Sequence, residues 1–465
     1  MIFNLNLLFL YLFLQIIEKT KNKSSTIEVK FNKYNSIQSN DIILSNFNND
    51  IYISLKVGNP HQNIEKIFLK SDTYELMISN KTIDKNNYEK SESNTCKIIS
   101  LPQYYSLKYT YKGYILKDHF YLDIKENNQL MEIQNITFIY ANMISNNLYT
   151  AVIGFQLDEN GVKKSKTFPE QLQELKYIKD STWMIKYNTE NEGYFYLGDI
   201  LNDEVFSKFN IQEYRKTNAI MFGYYLSWDF LFSQIEFNDI KLGGPLQANL
   251  NINFGLISCT NETYKSIKNE FFNQYINNKI CKELFFDGED KNNKIKNINS
   301  KFNYIVCDKS LKIKNFPTIY FYHIELDFVF ELTYKVLFIN SNDKIYFLCI
   351  NEIKNYQRWV FGKPFFKKYN IIFDHNSKTI ALYGNNTKGK TNWILFEWII
   401  VILLFIIFLI LLYTLIRRYR LNHYKSFEKK IKSDELNNTI FEEKEYYKNL
   451  SEEKPENKII DDKIN

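Results

Sequence analysis

The chain has 465 residues, 45% of them hydrophobic, with 38 Phe and 35 Tyr. That is enough apolar material for a packed core, and it excludes a chain that is disordered throughout. The formal net charge is only +6 and no basic stripe with interleaved aromatics occurs, which argues against nucleic acid as a partner.

The first apolar run, Ile2 to Ile17, carries no charge and is followed by the polar stretch Glu18 to Ser25. It is short for a membrane span and predicts a signal peptide over residues 1–18. Residues 19–48 then read as a leader or propeptide. From about Asp50 to Gly384 short apolar or alternating runs are broken by Asn, Gly, Lys and Asp. Ile51 to Val57, Tyr114 to Ile124, Trp183 to Tyr187 and Tyr194 to Leu197 are examples, and they predict an all-β body of many short strands. Two stretches predict helices: Glu170 to Leu175, and Glu262 to Tyr275, where Tyr264, Ile267, Phe271 and Tyr275 recur at helical spacing. Asp287 to Phe302 is rich in Asn and Lys and reads as a surface insertion. Ala151 to Phe155 and Trp359 to Gly362 are both apolar runs that reach a glycine. Such a pair fits buried strands turning sharply at Gly154 and Gly362, and so a duplicated β-lobe.

Trp393 to Ile416 is long enough to cross a bilayer and holds one charge, Glu397. Arg417, Arg418, Arg420 and Lys425 follow, which puts the C-terminal side in the cytoplasm. The expected topology is type I: a lumenal or extracellular body, one span at 393–416, and a charged, flexible tail at 417–465. All five cysteines, Cys96, Cys259, Cys281, Cys307 and Cys349, fall in the expected lumenal part, where disulfides form. The odd count leaves at least one thiol outside an internal pair. Neither the cysteines nor the five histidines have metal-site spacing, so no metal and no cofactor is expected. Sequons stand at Asn80, Asn135, Asn261 and Asn385.

Several motifs, taken together and in order, resemble pepsin-like aspartic peptidases. Trp359-Val360-Phe361-Gly362 followed by Phe365, Tyr369 and Ile372-Phe373-Asp374 is similar to the closing motif of that family. Tyr52 to Gln62, with Gly58-Asn59-Pro60, resembles its entry strand; Gly113 to Asp118 resembles the segment after its flap. Trp183 to Asp199 resembles its crossover between lobes, and Tyr225 to Ile235 the start of its second lobe. The resemblance implies a two-lobed all-β fold with a central cleft, an N-terminal β-lobe at 49–200 and a C-terminal β-lobe at 201–388. It also implies a Cys307–Cys349 disulfide bracketing Phe316-Pro317-Thr318-Ile319, and Tyr109 as the candidate flap tyrosine over a peptide substrate.

That family works through two aspartates about a shared water; like charges so close cannot both ionise, so one is the acid and the other the base. Counted without gaps from Gly58, the first aspartate position falls on Leu69, with Asp72 as the fallback; the second falls on Asn251. No Asp or Glu occurs from Lys241 through Thr260, and an Asn amide cannot act as a base. The expected function is therefore a membrane-anchored, catalytically impaired member that binds a peptide or protein in the cleft. An active divergent aspartic endopeptidase, and a structural or adhesive surface protein, are the alternatives.

Overall fold

Alternation decides where the strands lie. In Asp50–Val57 the side chains of Ile51, Ile53, Leu55 and Val57 are buried, while Tyr52, Ser54 and Lys56 are partly or fully exposed. Ala151–Gly154 and Leu76–Ser79 are instead buried along their whole length, as strands covered on both faces must be. These observations come from a computed structural model of the chain. It describes residues 26–34, 37, 39–79, 88–100, 103–106, 110–124, 129–142, 151–157, 166–200, 214–223, 225–288, 298, 300–341, 343–353, 358–383 and 390–452. The expected signal peptide, and the sequons at Asn80 and Asn385, lie outside the described residues. Two units separate, Met1–Thr387 and Lys388–Asn465.

The first unit is mostly β. Its largest sheet runs from Tyr214–Asn218 through Thr379–Tyr383, Asn370–Asp374, Thr182–Tyr187, Glu192–Leu197, Ile27–Tyr34, Asp50–Val57 and Gln62–Lys70 to Ala151–Gly154, Leu76–Ser79, Gln129–Asn142, Thr110–Ile124 and Lys97–Ile98. Closing strands of the body are thus laced to opening ones. Residues 19–48, read from sequence as a leader, contribute Ile27–Tyr34 to the interior of this sheet, paired on both sides. They also supply the short helix Ile42–Asn46, capped by Asp41, whose other carboxylate oxygen accepts from the Tyr304 hydroxyl at 2.9 Å.

One arrangement occurs twice. Gln62–Lys70 lies parallel to Ala151–Gly154, which is antiparallel on its other side to Leu76–Ser79, itself parallel to Gln129–Asn142. Likewise Leu246–Leu250 lies parallel to Arg358–Phe361, which is antiparallel to Ile257–Ser258, itself parallel to Cys349–Glu352. In each case a strand is threaded between the two arms of a turn, and the threaded strand ends at a glycine. The Gly154 amide donates to Glu75 O (3.0 Å) and the Gly362 amide to Leu256 O (3.1 Å). A Cβ on Gly154 would sit 2.4 Å from Thr73 O, and one on Gly362 2.2 Å from Phe254 O. The two runs thus share one local strand arrangement.

Both expected helices form. Phe168–Glu174 starts two residues earlier than predicted, because Thr167 and Glu170 close a capping box with Pro169 in the first turn. Asn261–Ile267 continues through a π-turn at Lys268–Phe272 into Asn273–Asn277, burying Tyr264, Ile267, Phe271 and Phe272. The disulfide differs from expectation. Cys307 is bonded to Cys281, not to Cys349. Antiparallel pairing of Cys281–Asp287 with Lys301–Asp308 sets these two cysteines opposite each other, Cα to Cα 4.0 Å. Cys349 is instead a buried thiol beside Cys259, and burial pushes its pKa well above the usual value.

The second unit is a helix, Lys390–Glu452. Val401–Ser426, 26 residues with mean hydropathy 2.5 and no burial, is long and apolar enough to cross a membrane. At about 1.5 Å per residue it reaches about 39 Å, against a hydrocarbon core of about 30 Å. The tail, expected to be flexible, is helical as far as Glu452; its Glu, Lys and Leu content suits a helix.

Because Gly362 sits against a backbone oxygen that cannot yield, Gly362→Ala is expected to cost about 3 kcal/mol. Urea unfolding of the body followed by tryptophan fluorescence checks this; a change under about 1 kcal/mol would show that the threaded strand has slack.

Candidate functional site

The duplicated motif fixes which residues correspond. Lys70 pairs with Gly154 in the parallel ladder, and Asn251, one residue beyond the Leu250–Phe361 pair, stands level with Gly362. Three residues after each comes the carbonyl that closes on the glycine, Thr73 in one copy and Phe254 in the other. Six residues after each comes the start of the returning arm, Leu76 paired with Ile153 and Ile257 paired with Phe361. Lys70 is therefore the counterpart of Asn251, Ser71 of Ile252, and Asp72 of Asn253.

This corrects the placement at Leu69. Its side chain is fully buried in the core (0% exposed) and faces away from the turn. A bulge explains the offset: Ile53 pairs with Ile67 but Leu55 with Ile64, so the second strand holds one extra residue. One extra residue moves each later side chain to the opposite face, and a gapless count falls one short. The fallback Asp72 is exposed and matches Asn253 rather than Asn251. Tyr109 lies outside the described residues.

The two turns are joined by side-chain amides. Asn253 donates from Nδ2 to Leu69 O at 2.6 Å and accepts at Oδ1 from the Ser71 amide at 2.9 Å. Its side chain thus reads the main chain of the other copy as a strand neighbour would. The Ile252 amide donates to Ser71 Oγ (3.3 Å), and Ser71 Oγ donates to Asn251 Oδ1 (3.3 Å). Asn251 Oδ1 also accepts from the Asn253 amide at 2.9 Å, which closes a local turn. Asn49 adds a third strand to the junction: its Nδ2 donates to Ile252 O (2.7 Å) and its amide to Asn253 O (2.8 Å).

Charge at this junction is buried and paired. Lys70 Nζ lies 2.6 Å from Asp50 Oδ1, and Asp50 is 1% exposed. In the second copy Asp229, fully buried, accepts from Arg358 Nη1 at 2.7 Å and from Ser227 and Asn249. Phe222 lies under that guanidinium, 3.6 Å from its ring centre. So the matched positions carry an ammonium and an amide, and each nearby buried carboxylate already faces a cation. Such an arrangement can hold the two turns in register; among the described residues, the matched positions bring no two carboxyls together to share a proton.

No family model matches the chain, and no curated protein matches its sequence. Function has to be read from the geometry. Of the residues singled out in sequence, Asn251 stands at the junction, Leu69 supplies only its carbonyl, and Asp72 lies on the turn beside it. Lys70, Asp50, Ser71, Asn49 and Asn253 were not foreseen. For Lys70 and Ser71 the signal was the offset between the two copies, since shifting Asn251-Ile252-Asn253 back by 181 lands on Lys70-Ser71-Asp72; Asn49 and Asp50 carried no such signal.

Replacing Asn253 with Asp tests the bridge. At low pH the protonated acid can still donate to Leu69 O, so stability should stay near that of the parent protein. Once ionised, the carboxylate would face that carbonyl, so the folded form raises the carboxyl pKa above its unfolded value of about 3.9. The stabilising bond is then present below about pH 4 and lost as pH rises through the folded value. The unfolding free energy of Asn253→Asp from urea titrations should fall by about 2–4 kcal/mol between pH 4 and pH 8 relative to the parent, whereas a parallel pair of curves would mean Asn253 bridges nothing.

Proposed function

We propose that this chain is a membrane-anchored relative of pepsin-like aspartic peptidases, catalytically impaired, that binds peptide or protein in a cleft between two β-lobes. The observation that carries this reading is the identity of the matched residues, Lys70 and Asn251, at the place where the resemblance implies a facing pair of aspartates. A lysine bonded to Asp50 cannot serve as general base, and an amide cannot share a proton. The duplicated threading and the shared sheet support the scaffold half of the proposal, and the apolar helix supports the anchor. With the basic residues Arg417, Arg418 and Arg420 in the C-terminal part of that helix, the body would face the lumen or the cell exterior.

An active divergent endopeptidase is the competing reading. It needs two carboxylates level with Gly154 and Gly362, and Asp72 sits two residues past that level.

The full chain, purified in phosphatidylcholine nanodiscs, should leave an unfolded protein substrate intact from pH 3 to pH 6. Cleavage that a statine-type inhibitor blocks would overturn the proposal. In the same preparation, a peptide library should yield ligands whose binding falls at least tenfold in Asp72→Trp, which places bulk on the exposed turn at the junction. Absence of any peptide ligand would favour a structural or adhesive role instead.

A further inference from the structure

A second site lies away from the amide junction. Four lysines line one cavity of about 230 Å³: Lys335 from the helix Tyr334–Leu337, and Lys363, Lys367 and Lys368 from the helix Lys363–Lys368. The carboxylate among its lining residues is Glu190, from the turn between Thr182–Tyr187 and Glu192–Leu197. Set against Glu190 and the Glu331 that meets Lys368, the four ammoniums keep a surplus of two positive charges. Phe338, Ile339 and Leu348 give the cavity an apolar floor.

Glu190 is already engaged. Glu190 Oε2 lies 2.8 Å from Lys363 Nζ, and its other oxygen meets Lys367. Although partial burial works against ionisation, the bonds from Lys363 and Lys367 hold its carboxyl down to about 2. Lys368 Nζ donates to the Glu331 carbonyl and lies 3.9 Å from its Oε2, and Lys335 is exposed. Lys33 approaches from behind, bonding Asn46 at the cavity edge at 3.0 Å. Burial, with Lys363 adding to it, pushes Lys33 down to about 8; burial also lowers Lys363 and Lys368. Like charges held partly out of water are costly, and an anion in their midst relieves them all at once.

We infer that this cavity binds a phosphate monoester, its phosphate held by Lys335, Lys363, Lys367 and Lys368 and its ester group lying on the floor of Phe338, Ile339 and Leu348. Lysines meet phosphate as point charges, whereas planar two-point capture of a carboxylate calls for arginine, and no arginine lines the cavity. The volume falls below the roughly 300–1,000 Å³ of sites for drug-sized ligands, which suits a phosphate with a small substituent. The same chemistry could arrive as a soluble metabolite or as a lipid headgroup.

The test uses the full chain in phosphatidylcholine nanodiscs, with thermal midpoints read by tryptophan fluorescence. Inorganic phosphate and glycerol 3-phosphate, each against chloride at equal ionic strength, should raise the midpoint saturably. In Lys335→Gln/Lys368→Gln, which spares the Glu190 contacts, the apparent affinity should fall at least tenfold while the midpoint in chloride holds. Discs doped with phosphatidic acid separate the sources: a raised midpoint without added phosphate, and no further response to it, marks a headgroup site. A response to glycerol 3-phosphate that phosphatidic acid does not pre-empt marks a soluble ligand. Equal shifts in parent and variant, or none in either, overturn the site. A response to inorganic phosphate alone overturns the monoester assignment.

Discussion

Everything at the centre of the body depends on how closely a strand can pass between the arms of a turn. At Gly154 and at Gly362 the passing backbone comes within reach of carbonyl oxygens that no side chain could tolerate. Glycine makes the passage possible, and the passage fixes the level of the turn on either side of it. Two such turns, built alike, then meet. Their meeting gives Asn253 a main chain to read, Ser71 an amide to accept, and Asn49 a carbonyl to hold. Remove the close passage and the amide network has no fixed partners; keep it, and the residues at the turn tips are placed without further help.

What those tips carry then decides the chemistry. Two acids held close together compete for one proton. The matched positions here carry an ammonium, Lys70, and an amide, Asn251. Lys70 turns to Asp50, which neutralises a buried charge, and Asn251 turns to Ser71 and its own loop. Breaking a buried pair is costly, about 3–5 kcal/mol, although such a pair adds little beyond an apolar equivalent. The junction has the character of a clasp: many short bonds, few titrating groups, and no vacancy waiting for a proton.

Much of the fold was legible from sequence because its signals are local. Alternation in Ile51 to Val57 marks a half-covered strand, the unbroken Ala151 to Ile153 a fully covered one, and Thr167 with Glu170 a helix start. Asn251 was legible because no acid occurs near it. Leu69 was misplaced because a bulge is silent in sequence: nothing in Asn63 to Phe68 announces an extra residue, yet it turns every later side chain over. The disulfide failed for a related reason. Which cysteines meet is set by strand register, and the partner of Cys307 is the residue directly across its hairpin, not one bracketing a motif along the chain. Long-range bonds such as Asn49 to Ile252 leave no trace in either segment alone.

The two copies also differ in a way that bears on the lysine cavity. From turn tip to turn tip the offset is 251 − 70 = 181, but from glycine to glycine it is 362 − 154 = 208, so the second copy holds 27 more residues between tip and threaded strand. That longer connection carries the disulfide-bonded hairpin of Cys281 and Cys307 and the helix that bears Lys335. The helix of Lys363, Lys367 and Lys368 follows directly on Gly362. Hence the constraint that forces glycine at the threaded strand also sets where three of the four ammoniums begin, and the extra length of the second copy brings the fourth to meet them. The surplus of positive charge is a product of architecture as much as of composition, which is why a chain of modest net charge can still concentrate it in one place.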